Sequence, residues 1–170
     1  TIDSLLNGKN SALWRQSLSN DWGRLASGND MGIKGTDTII FIHKKDVPAD
    51  KKVTYASYVC DYRPLKEETY RVRITAGGDK LEYEADAASP AANLLETKIL
   101  INSTISDAAK GARFMCADIK NHFYATPMKD PEYMKVRYKY IPEDIRKRYN
   151  LDLKVTHDGW LHIKIQKGMP

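Results

Sequence analysis

The chain has 170 residues, 42% hydrophobic and 29% charged, which suffices for one domain with a real core and hardly for two. Its apolar runs are only a handful of residues long, far short of the ~20 that a membrane-spanning helix needs. Three Trp, ten Tyr and three Phe rule out a disordered chain. The net charge of +5 fits a soluble basic surface as readily as a polyanion partner. The excess sits late: 13 basic against 12 acidic residues up to position 85, and 14 against 10 after it.

In chain order, Leu13, Trp14, Leu18, Trp22 and Leu25 recur at spacings of three and four, predicting a helix over 11–26 capped by Asn10 or Ser11. The glycines from Gly28 to Gly35 end it. Thr38–His43, Val53–Tyr62 and Arg71–Thr75 read as strands, the last closed by Gly77-Gly78, where positive φ is allowed. Together they predict an antiparallel sheet. Ser89-Pro90 is a hydroxyl cap followed by proline, starting a helix that runs to Ala109. Arg113–Ile119 reads as an apolar strand ending near Asp118, Tyr133–Tyr138 as another strand, and Pro142–Tyr149 as a short helix with acids early and bases late. Val155–Ile165 reads as a hairpin turning at Asp158-Gly159.

Cys60 and Cys116 lie in apolar strand-like runs and read as reduced, buried thiols. The scattered His43, His122, His157 and His162 form no zinc spacing. In the C-terminal half, Lys135, Arg137, Lys139, Arg146, Lys147 and Arg148 are interleaved with Tyr133, Tyr138, Tyr140 and Tyr149. Cations beside stacking surfaces suit a nucleic-acid backbone, and a solvated strand and helix face has the same composition.

The segment Ala117-Asp118-Ile119-Lys120-Asn121-His122-Phe123-Tyr124 is the least generic part of the chain. It resembles the first catalytic motif of copia-type LTR retrotransposon reverse transcriptases, an Asp at the end of a palm strand with an aromatic five positions on. The likeness extends over nearly the whole chain. Leu13–Leu25 resembles the opening helix, Thr36–Lys45 and Val53–Arg63 the fingers strands, and Tyr70–Ile74 the basic fingers strand. Ser89-Pro90 resembles the start of the palm helix, Glu132-Tyr133-Met134 the following strand, and Lys167-Gly168-Met169 the Lys-Gly-Met signature.

The resemblance implies an α+β fold: an antiparallel fingers sheet with helices over about 11–85 and a truncated polymerase palm over about 86–170, within one reverse-transcriptase-like domain. It implies Asp118 as a ligand of Mg²⁺, Ile119 as a backbone contact to the triphosphate, and Phe123 as the steric gate. It implies Arg73, with Arg71 or Lys44, as the holders of incoming phosphates. Two-metal polymerisation needs several carboxylates, and the family's downstream Tyr-x-Asp-Asp pair is absent here. The expectation is a fragment or domesticated remnant of an RNA-directed DNA polymerase, not catalytic and binding no Mg²⁺ by itself. The alternative is a non-catalytic structural or interaction subunit on the same scaffold. A complete nuclease centred on Asp118 lacks nameable partner ligands. A truncated palm would leave the Arg113–Ile119 edge open to a protein partner or a second copy. The Thr1 start is what processing or excision from a longer chain leaves; the compartment is left open, with an intracellular setting expected and an organelle consistent with a trimmed start.

Overall fold

The computed structural model describes residues 1–81, 93–117, 124 and 126–169. It divides into two compact units, residues 1–81 with 121–170, and residues 82–120.

The larger unit is α+β. Helix α1 (Ile2–Leu6) leads into α2 (Ser11–Leu25), followed by strands β1 (Ile39–Ile42), β2 (Val53–Tyr62) and β3 (Tyr70–Ala76). Later come β4 (Pro127–Arg137), a short helix (Glu143–Arg148) and β5 (Trp160–Lys167). The sheet order is β1-β5-β4-β2-β3. All neighbours are antiparallel except β2 and β4, which run parallel over Val53–Tyr55 and Tyr133–Lys135. The antiparallel expectation therefore holds for β2 with β3 but not for the sheet, which is mixed. Strand β1 joins β5, not β2, because its alternate apolar residues match those of β5.

Registered rungs sort the side chains onto two faces. Ile39 faces Ile165, Phe41 faces Ile163, and Ile163 faces Met134 in turn; Leu161 pairs with Val136, and Tyr58 with Ile74. On this face lies the core, where Trp14, Leu18, Trp22 and Leu25 of α2 join Ile141, Ile145 and Leu151. At about 1.5–3 kcal/mol for each fully buried large apolar side chain, this packing is the main source of stability.

The edge strand β3 is closed by α2. Ser17 Oγ accepts from Val72 N–H at 2.8 Å, and Asp21 Oδ2 accepts from Ile74 N–H at 2.8 Å. Four residues along a helix rise about 6 Å and two along a strand about 6.7 Å, so these acceptors meet successive outward amides. At the other edge Lys154 Nζ donates to the Phe41 carbonyl of β1 at 2.8 Å. Side chains thus occupy backbone groups at both edges that another strand would otherwise pair.

Several sequence expectations need correcting. Residues 155–159 are not a strand: β5 starts at Trp160 and pairs with β4 and β1. Gly77 has φ −69°, and a Cβ there would lie 2.6 Å from the Tyr55 ring, so close approach and not positive φ calls for glycine. The five residues of helix α1 carry too little periodicity to be read from sequence.

The smaller unit contains α3 (Leu94–Ser106), for which Asn93 and Glu96 form a capping box. The expected start at Ser89-Pro90 lies outside the described residues. Residues 112–117 have no regular secondary structure, so the strand expected over Arg113–Ile119 is not formed there. Cys116, expected buried, is exposed, while Cys60 is half-buried. We number the short helix Glu143–Arg148 α4.

Candidate nucleic-acid interface

The sheet face opposite the core carries the cations. One rung crosses four strands as Ile42, His162, Lys135 and Tyr55, and the next outward position pairs Trp160 with Arg137. The alternation is set by the sequence: Leu161, Ile163 and Ile165 turn inward, so Trp160, His162 and Lys164 turn outward. The Arg137 guanidinium lies 3.8 Å from the centre of the Trp160 ring and Lys135 Nζ 4.8 Å from it, both within cation–π range. Arg137 also donates to the Asp158 carbonyl at 2.9 Å. Neither cation has a carboxylate ion pair among the described residues. Stacking orders them without a close ion pair, although the Asp158 carboxylate still acts on Arg137 electrostatically.

The other four basic residues singled out in this region are engaged elsewhere. Lys139 reaches Asp3 at 3.2 Å, and hydrogen bonds with Tyr140 and Asp3 raise its pKa. Arg146 holds the chain entering α4, donating to the Ile141 carbonyl at 2.6 Å and the Tyr138 carbonyl at 3.0 Å while stacking on Tyr138. Lys147 pairs with Glu143 at 2.6 Å, one turn away, and Arg148 with Asp30 at 2.6 Å.

On the β2–β3 hairpin, Arg73 sits opposite Val59 and Arg71 opposite Asp61, on the outward face. Together with Arg63 they line a hollow of about 240 Å³. Arg71 is already spent: it is ion-paired with Glu68, and its guanidinium lies 3.4 Å from Asp21. Burial raises the Asp21 carboxyl above its ordinary pKa, even though the Ile74 amide, Arg71 and Arg24 all favour the charged form. Arg63 and Arg71 each keep a buried Nε without a partner. Arg73 is exposed and has no ion pair among the described residues, so of the two hairpin arginines expected to hold phosphate it is the available one.

Lys44 is not brought to these arginines. It lies in the 3-10 turn Lys44–Asp46 after β1, and β5, β4 and β2 separate that edge strand from β3. Asp118, Ile119 and Phe123 lie outside the described residues. Among the described residues no three His, Cys, Asp or Glu side chains converge as metal ligands. No helix among them is long and apolar enough to cross a membrane. A local hairpin over 155–165 would hide the role of Trp160 and His162, whereas the alternation from 160 to 165 along β5 marks them as outward residues.

Comparison of the chain with models of known protein families, with curated proteins and with solved structures finds no match.

Proposed function

We propose that this chain is a reverse-transcriptase-like fragment or remnant of the copia type whose outer sheet face binds a nucleic-acid backbone, and that it does not polymerise by itself. The observation that supports this most is the Lys135–Arg137–Trp160 stack, two cations without carboxylate partners held on an aromatic ring. Phosphates are attracted by the charge, and an unpaired base can stack on the indole. Arg73 extends the cationic character across the same face.

The test is binding of a fluorescent oligo-dT between about 50 and 200 mM salt, a range over which backbone-driven binding weakens steeply. A Lys135→Ala/Arg137→Ala chain should bind at least about tenfold more weakly and with a shallower salt slope, since each lost phosphate contact removes about 0.7 from the single-strand slope. Unchanged affinity in a folded double variant would refute the face as the site. Primer extension with Mg²⁺ by the purified chain, lost in Asp118→Ala, would refute the non-catalytic half of the proposal.

A further inference from the structure

His162 stands in the middle of the cationic face, yet it is only 7% exposed. Its rung neighbours are Ile42 on β1 and Lys135 on β4. Its Nδ1 is buried with no hydrogen-bond partner. The charged groups that act on it are Lys44 from the turn after β1, Lys135 on β4, and Asp158 from the turn leading into β5. Burial first, then the two ammonium groups, lower its pKa from the ordinary 6.5, while Asp158 opposes them.

A buried imidazole beside two ammonium groups stays neutral at neutral pH, because charging it would add a third cation in a poorly solvated place. A phosphodiester seated over those ammonium groups reverses both penalties. Its charge offsets the field of Lys44 and Lys135, and its oxygens can accept hydrogen bonds from an imidazolium.

We infer that His162 is the proton-linked element of this site: binding of a nucleic-acid backbone over Lys44 and Lys135 draws one proton from solvent onto the imidazole. No bond in the nucleic acid changes; the balance is one proton taken up on binding and returned on release. The inference rests on the proposed polyanion-binding role of this face and adds that the affinity is set by pH.

The experiment measures binding of oligo-dT, whose phosphates and bases do not titrate in the range used, at constant salt between about pH 8 and about pH 5.5. A single linked proton allows at most a tenfold change per pH unit, so wild-type affinity should rise by about tenfold or more across the range. In His162→Gln the ratio should fall to about one, whereas His157→Gln should keep the wild-type ratio. NMR titration of the His162 ring in the wild-type chain provides the second measurement, with the midpoint moving to higher pH when oligo-dT is present. An unmoved midpoint, or a His162→Gln profile as steep as wild type, overturns the inference while leaving salt-sensitive binding intact. Absence of salt-sensitive binding at about pH 8 and about pH 5.5 alike overturns the inference and the underlying role together.

Discussion

Helices α2 and α3 differ in the direction opposite to what composition suggests. The 15 residues of α2 are the more polar set, yet eight of them are buried, including Ser17, Ser19 and Asp21. The 13 residues of α3 are the more apolar set, and none is buried. Ser17, Ser19 and Asp21 each have a partner: Ser17 bonds the Val72 amide and Glu68, Ser19 bonds Asp144, and Asp21 bonds the Ile74 amide and Arg24, while the buried Trp22 indole N–H has none. Leu94, Leu95, Ile99, Leu100, Ile101 and Ile105 of α3 point around most of the helix circumference, so no single stripe exists to pack. Among the described residues, burial on the two helices follows the partners a side chain meets more closely than it follows apolar content.

The largest expected effect breaks that complementarity on α2. In Asp21→Ala, the Ile74 amide loses its acceptor and Arg71 and Arg24 lose a buried counter-charge. Breaking one side of a buried pair costs about 3–5 kcal/mol, a large share of a domain's total stability. Urea unfolding followed by circular dichroism should show the midpoint falling accordingly. A loss below about 1 kcal/mol would mean that the β3 edge is not closed by this carboxylate.

A smaller effect comes from the opposite face of the sheet. Because the folded state lowers the pKa of His162, the unfolded chain binds more protons once the pH drops below the ordinary value of 6.5. The stability that neutral His162 contributes is present above that pH and is lost as pH falls through the lowered folded value. Unfolding midpoints measured down that range should decline in wild type and decline less in His162→Gln. Equal declines would show that the imidazole is solvated in the folded chain.

The helix α2 was legible because its periodic Leu and Trp positions are local, and β2 matched its expected range of Val53–Tyr62 for the same reason. Strand order was not legible. The β1–β5 pairing joins residues more than a hundred positions apart, and the parallel β2–β4 contact is set by the core and not by any turn signal. The run Arg113–Ala117 has strand composition but no partner strand among the described residues, and it stays irregular. On the site, the outward alternation of Lys135 and Arg137 could be read directly. The engagement of Lys139 with Asp3 and of Arg148 with Asp30 could not, because those carboxylates are brought close only by the fold. Only Lys147 with Glu143 was readable, as an i,i+4 pair.

The smallest expected effect sharpens the comparison of the two helices from the side of α3. Ile99 is 59% exposed, and serine has nearly the same helix propensity as isoleucine, so Ile99→Ser removes little packing and leaves the backbone preference alone. Its unfolding free energy should stay within about 0.5 kcal/mol of wild type, as for most surface substitutions. The same change at Leu18 of α2, which is 1% exposed, should cost several-fold more because it opens a cavity and buries a hydroxyl. A loss of about 2 kcal/mol or more at Ile99, of the size reserved for core truncations, would show that α3 is covered in solution. Its dependence on protein concentration would then decide by what: a loss that grows on dilution means another copy of the chain, and a constant loss means a surface of the same molecule.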